Sequence, residues 1–355
     1  MHKIKLLENP LYVEDIKKIL DIENNFFLLK GKTVLITGAT GLIGTVLSNM
    51  FEFLAEYYDL QLKLILVSRG CQSKVVNGDF IEIRNICCDL SKDSLFNICK
   101  EIKIDYIFHL ASNVHPLQYA EFPISTITTN VWGTKDLLDL VSLNPGCRFI
   151  FASSVEVYGD IVTSSEGANE TDFGFLDCNT VRACYNESKR LCETLCQAYK
   201  SEKNIDFVIA RLCRSYGPTL KKDDSKALSQ FLFNAIKGKN VVLKSSGIQY
   251  YSYLYSVVAA SALIFLLFKG ISGEAYNVSD VNSNVYLKDL AKIVADQGHV
   301  SVVFEIPSEV EKKGFSRAVN AVINPKKINE LGWRASYDIA SGIKRTFDIM
   351  KMNFV

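Results

Sequence analysis

The stretch from Lys32 to about Tyr58 restricts the fold more than any other part of the chain. An apolar run, Thr33-Val34-Leu35-Ile36-Thr37, passes without a break into Gly38-Ala39-Thr40-Gly41-Leu42-Ile43-Gly44, and a helical pattern follows from Leu42. A short, wholly apolar run ended by glycine is the pattern of a strand covered on both faces, as in a parallel sheet. The spacing is Gly-x-x-Gly-x-x-Gly. Glycines there permit a tight turn, a close approach of backbone to a pyrophosphate, and a helix packed so that its first amides meet the phosphates. Gly38, Thr40, Gly41, Leu42, Ile43 and Gly44 are therefore candidate contacts for a dinucleotide.

The pattern then repeats. Strand-like runs at Leu62–Val67, Phe80–Arg84, Asp105–Leu110, Arg148–Ala152 and Ile205–Ala210 alternate with helical segments near 91–102, 126–143 and 185–200. Alternation of this kind predicts a Rossmann-type doubly wound parallel α/β sheet. At 355 residues a single core tends to divide. Regularity breaks after Gly217-Pro218, which suggests an N-terminal appendage (1–30), a dinucleotide-binding domain (31–217) and a smaller C-terminal α/β substrate-binding lobe (218–355), with the chain crossing back.

Composition narrows the partners. Lys plus Arg total 40 against 39 Asp plus Glu, so no overall field favours nucleic acid or an anionic membrane. The charge-free stretch Gln249–Phe268 opens with Tyr250, Tyr251, Tyr253 and Tyr255, and reads as a strand and turn leading into a buried helix rather than as a membrane span. The ten cysteines include no Cys-x-x-Cys, and His2, His109, His115 and His299 are scattered, so no metal site is expected. Without an apolar leader at Met1 to Pro10, a reducing cytoplasm is the expected setting.

After the second strand, an acidic residue would bind a ribose 2′-hydroxyl and a basic one a 2′-phosphate. Val67-Ser68-Arg69 offers only the base, which favours NADP(H) over NAD(H). Asp89 and Leu90 follow the third run, where Asp89 serves either the adenine or a helix N-cap. Tyr185-Asn186-Glu187-Ser188-Lys189 places a phenol and an ammonium one helical turn apart, and Ser154 stands at a strand end upstream. A phenol works as an acid or base near neutrality only if a cation favours its phenolate, and Lys189 is the candidate cation.

Together with Phe108-His109-Leu110-Ala111-Ser112, Ser153-Ser154-Val155-Glu156-Val157-Tyr158-Gly159, Arg211 to Pro218, Tyr276-Asn277-Val278 and Leu331-Gly332-Trp333, these motifs resemble the extended short-chain dehydrogenase/reductase family of nucleotide-sugar epimerases, dehydratases and reductases. The resemblance runs from about Lys32 to Phe347. It implies a nicotinamide held by Tyr185 and Lys189 with Leu110, Ala111 and Ser112 nearby, and Tyr185 as the acid/base at a sugar hydroxyl or ketone. It also implies a nucleotide-diphosphate sugar bound by the C-terminal lobe, and a homodimer formed through the helices near 126–143 and 185–200.

Departures from the family pattern bear on the reaction. Val155 stands where dehydratases carry an acid, so sugar 4,6-dehydration is disfavoured, while Glu156 remains a proton acceptor or substrate ligand. The segment Val181 to Arg190 looks most like the uridine diphosphate-glucuronate decarboxylase branch, yet Tyr251 and Val258 stand where that branch has Arg and Asp. Arg214 replaces a usual Asn and is a candidate phosphate contact. The leading expectation is an NADPH-dependent reductase of a keto group on a nucleotide-activated sugar, either a keto sugar or an open-chain ketose, for surface polysaccharide or capsule. The alternative is a 4-epimerase or a decarboxylase-like enzyme with tightly bound NAD.

Overall fold

The computed structural model describes residues 6–20, 25–70, 72–161, 166–306 and 319–354. Strands β1 (Thr33–Thr37), β2 (Leu62–Ser68), β3 (Lys74–Asn77), β4 (Ile81–Cys87), β5 (Tyr106–His109), β6 (Arg148–Ser154) and β7 (Asp206–Leu212) precede the short β8 (Arg214–Tyr216), β9 (Val241–Leu243) and β10 (Tyr250–Tyr255). Then come β11 (Ala275–Val278), β12 (Asn284–Tyr286), β13 (Val302–Phe304) and β14 (Asn320–Ala321). Eight of them form one sheet in the order β11-β7-β6-β5-β1-β2-β4-β3, parallel throughout except where the exposed edge strand β3 runs against β4. This is the doubly wound Rossmann-type sheet that the alternation of runs predicts.

All five residues of β1 are buried, and its side chains alternate between two cores. Val34 and Ile36 join α2 (Leu42–Tyr57) and a later helix, Ser256–Lys269, on one face. Leu35 points to the other face, where Leu137 and Leu138 of Pro123–Leu143 meet Cys192 and Cys196 of Ala183–Lys203. In chain order the helices are α1 (Pro10–Leu20), α2, α3 (Leu95–Cys99), α4 (Pro116–Glu121), α5 (Pro123–Leu143), α6 (Ala183–Lys203), α7 (Ala227–Ile236), α8 (Ser256–Lys269), α9 (Leu287–Gly298), α10 (Lys326–Glu330) and α11 (Ile339–Phe354). Only Leu95–Cys99 of the helical segment expected near 91–102 forms an α-helix, because Asp89 and Ser94 cap shorter turns on either side of that start.

The charge-free stretch divides into β10 and α8. Every residue from Ser256 to Leu267 is buried, so α8 needs no polar face: it is sandwiched between the sheet, α1 and α2. Among the described residues, no helix is long and apolar enough to cross a membrane. Helix α1 buries Tyr12, Ile16 and Ile19, and places a fully buried Asp15 where it accepts hydrogen bonds from Tyr255 (2.8 Å), Tyr337 (2.6 Å) and Arg345 (2.6 Å). The N-terminal segment is thereby tied to both β10 and α11; residues 1–5 and 21–24 of it lie outside the described ones.

Beyond the main sheet, β10 is central to a small sheet with β12, β14 and β8, while β9 pairs with β13. The chain returns through β11 to the edge of the large sheet. The two sheets thus flank one cleft, into which the C-terminal ends of β1, β5 and β6 open.

Candidate active site

Backbone forms one end of the cleft. Gly38 has φ +69°, and a Cβ there would lie 2.8 Å from the Ala111 nitrogen. A Cβ on Gly44 would approach the Gly38 carbonyl oxygen to 2.2 Å, so the turn and α2 can pack this closely only as glycine. Thr37 fixes the neighbouring strand end: its hydroxyl accepts from the Ala111 amide (3.2 Å) and lies 2.7 Å from His109 Nδ1. His109 itself is fully buried against Thr134, and burial drives its pKa down, so it is a neutral strut.

These elements line one cavity of about 600 Å³. Gly38, Thr40, Gly41, Leu42, Ile43 and Gly44 border it at the turn, with Arg69 and Leu90 beside them and Leu110, Ala111 and Ser112 at the end of β5. Ser154, Glu156, Tyr185, Lys189, Arg214 and Tyr251 border the other end. Asp89 does not face this cavity: its carboxylate accepts from the Ser91 amide (3.0 Å) and hydroxyl (2.7 Å) and closes a local turn, while the N-cap of α3 is Ser94. The glycine cradle fits a dinucleotide pyrophosphate, and the buried Ser112 hydroxyl, unpartnered among the described residues, adds a free polar group there.

At the far end, Tyr185 is buried near the start of α6 and hydrogen-bonds the Ser154 hydroxyl. Burial raises its pKa to about 12, against the lowering effects of the Ser154 hydrogen bond and the Arg182 charge. Lys189, one turn on, donates to the Ala152 carbonyl at 2.8 Å and sits over the Phe151 ring; burial lowers its pKa to about 8. In the structure the Lys189 ammonium is turned onto the Ala152 carbonyl, and the charge that opposes desolvation of the phenol is that of Arg182.

Glu156 lies in a short 3-10 turn, Val155–Tyr158, and its own amide donates to the Ser154 hydroxyl at 3.2 Å. Its Oε2 accepts from Arg182 (3.0 Å) and Asn186 (3.2 Å), and its Oε1 lies 3.4 Å from Arg214 Nη2. Burial pushes this carboxyl up, but the two guanidiniums hold it below its usual range. Arg214 in turn stacks on Tyr251, 3.6 Å from the ring centroid. Beneath this cluster, Arg211 forks onto Glu193 (2.7 and 3.1 Å), which also accepts from Ser153. That network anchors β6 to α6 and β7.

Sequence reading passed over five residues of this end, Arg182, Tyr119, His115, Asp224 and Lys226. Arg182 lies over the Tyr119 ring, which stacks on Tyr185. Its position one turn before Asn186 was the available signal. Across the cleft, His115 Nδ1 lies 3.2 Å from the buried Asp224, with Lys226 3.8 Å from the same carboxylate. No local pattern marks that pairing, since His115 is the residue preceding α4 and Asp224 and Lys226 lie in the loop before α7.

The comparisons with known proteins agree with this architecture. The family model described as the NAD-dependent epimerase/dehydratase family matches residues 34–279. The chain belongs to that family. It is an NAD-dependent enzyme of the extended short-chain dehydrogenase/reductase type, with a nicotinamide dinucleotide as cofactor. Among curated relatives, UDP-glucuronic acid decarboxylase 1 of Xenopus tropicalis is 26% identical over 89% of this chain and 71% of its own length. UDP-glucuronic acid decarboxylase 2 of Arabidopsis thaliana is 29% identical over 88% and 67%. Among solved structures, the Thermotoga maritima UDP-glucose 4-epimerase superposes with TM-score 0.77 at 20% identity, covering 91% of this chain and all of its own. The Bacillus cereus UDP-glucuronic acid 4-epimerase, in complex with UDP-glucuronic acid and NAD, gives 0.73 at 18% over 90% and 99%.

Proposed function

We propose that the enzyme oxidises one carbon of a nucleotide-diphosphate sugar and returns the hydride after the sugar has been altered, keeping its NAD throughout. Decarboxylation of a nucleotide-linked uronic acid is the form of this cycle that the curated relatives favour, with 4-epimerisation as its nearest variant. The observation that carries the reading is the meeting of Tyr185, Ser154 and Glu156 in the same cavity as the glycine turn. When bound, the dinucleotide supplies the hydride acceptor and donor; the glycine turn, Ser112, Tyr185 and Lys189 would hold it. Tyr185 would move the proton of the sugar hydroxyl, and Ser154 would hold that oxygen in place. The oxidising half needs the phenolate, which Arg182 and Ser154 favour; the returning half needs the phenol, which burial favours. Loss of carbon dioxide would leave an enolate beside the ketone that must gain a proton, and Glu156 would carry that proton to it.

The test is incubation with UDP-glucuronic acid, and separately with UDP-glucose. Mass spectrometry should detect loss of carbon dioxide from the first, with no net build-up of reduced nicotinamide. Unchanged substrates, with NADPH consumed on a keto nucleotide sugar instead, would sink the reading.

That opposite result is the second reading, a net NADPH-dependent reductase serving surface polysaccharide, and Arg69 favours it: it borders the cavity after β2 while Asp89 turns away to Ser91. A homodimer is also part of the proposal, supported by the exposed Ile124, Ile127 and Trp132 on α5 and Leu191 on α6. A cytoplasmic setting fits the free thiols of the nine described cysteines.

A further inference from the structure

We propose that Arg214 exchanges its partner Glu156 for an oxyanion of the bound substrate, so that reading the substrate's charge and releasing Glu156 are one event. This rests on the nucleotide-sugar reading of the cavity and names the residue that selects within it. Arg214 opens β8, paired in register with Tyr253 of β10, and its guanidinium carbon lies over the Tyr251 ring, 3.6 Å from the centroid. A guanidinium held over an aromatic face directs its N–H groups away from the ring, which suits a two-oxygen anion.

Three features show that the Glu156 pairing is not its final one. The contact is long, 3.4 Å from Nη2 to Oε1. Nη1 is buried with no hydrogen-bond partner among the described residues, a condition that a native site normally relieves. Glu156 does not depend on Arg214, since Arg182 and Asn186 satisfy Oε2 at 3.0 and 3.2 Å. Lys226 adds to the excess of positive charge: it lies in the same wall, is itself repelled by Arg214, and shares Asp224 with His115. An arriving carboxylate or phosphate would complete the Arg214 fork and strip Glu156 of one of the two cations that keep its pKa low. Glu156 would then hold a proton more readily when substrate is present, the proton that an enolate left by loss of carbon dioxide takes up.

The experiment is calorimetric titration of the enzyme, with NAD added, using UDP, UDP-glucose and UDP-glucuronic acid. Arg214→Gln should weaken binding about 10- to 100-fold, the scale of one charge-assisted fork. A loss shared by all three ligands assigns the oxyanion to the diphosphate; a loss confined to UDP-glucuronic acid assigns it to the sugar carboxylate. Glu156→Gln removes the competitor and should tighten the same ligand by roughly 3- to 10-fold, a sign that a merely structural Arg214 would not produce. Arg214→Lys, which keeps the charge without the fork, should fall between wild type and Gln and covers the case of a poorly folded Gln variant. Unchanged affinity in both Arg214 variants, or weaker binding in Glu156→Gln, overturns the exchange while leaving the nucleotide-sugar reading intact. Failure of the wild type to bind any of the three overturns both.

Discussion

The two ends of the cavity are built from different materials. At the glycine turn the walls are main chain: Gly38 against Ala111, Gly44 against the Gly38 carbonyl, with the neutral His109 holding the strand ends. At the Tyr185 end the walls are charged and aromatic side chains carried by α4, α6, β8 and β10. The first end is rigid because backbone packs on backbone. The second is held by ion pairs that can be re-made, which suits a site where protons move and a charged substrate enters.

The largest effect that separates the ends should come from Tyr185→Phe. Loss of the phenol should cost about 10²- to 10⁴-fold in turnover, as expected for removal of an acid/base group, while the thermal midpoint stays within a few degrees. Equal loss of fold and activity would erase the distinction between chemistry and scaffold. At the other end, Gly44→Ala puts a carbon 2.2 Å from the Gly38 oxygen, so α2 must shift. Roughly 1–3 kcal/mol of stability should go, and dinucleotide affinity should fall more steeply than nucleotide-sugar affinity, measured by denaturation and titration.

Lys189 tests the cost of the charged end. It is 2% exposed. Its pKa is lowered from 10.5 to about 8, so the folded protein tolerates its charge at a cost on the order of 3 kcal/mol. Lys189→Met should therefore abolish turnover yet stabilise the protein by about 1–3 kcal/mol at pH 7. Between pH 8 and 10.5 the unfolded chain holds a proton on this lysine that the folded one has lost, so wild-type stability rises with pH and the advantage of the variant shrinks. A constant advantage across that window would contradict the buried-cation account. Smallest of all, Arg69→Ala should change cofactor affinity only a few-fold, because Arg69 is exposed. A hundredfold loss confined to NADPH would shift weight to the reductase reading.

How much of this was legible in the chain follows the same division. The turn was readable because glycines, strand and helix are contiguous from Thr33 to Tyr57, and Tyr185 and Lys189 because a helix repeats every four residues. The inner strands β1, β5, β6 and β7 of the large sheet are buried on both faces, so their apolar runs stood out. Edge strand β3 did not, since all four of its residues are exposed and only its antiparallel pairing with β4 makes it a strand. The strands β8, β12 and β14 of the small sheet, two or three residues long, depend on partners distant in sequence, whereas β10 was readable from its tyrosines. The stacking of Arg214 on Tyr251 and the pairing of His115 with Asp224 likewise arise only when remote segments meet, and desolvation of Tyr185 is a property of the folded environment.

The central claim is that hydride leaves and returns within one catalytic cycle, and the nucleotide the protein carries tests it most directly. Enzyme purified without added cofactor is denatured, and the released dinucleotide is identified and quantified by mass spectrometry. A retained NAD, close to one per chain, is the predicted result. A site that comes through purification empty, binds NADPH more tightly than NADH and consumes it once per turnover would contradict the account.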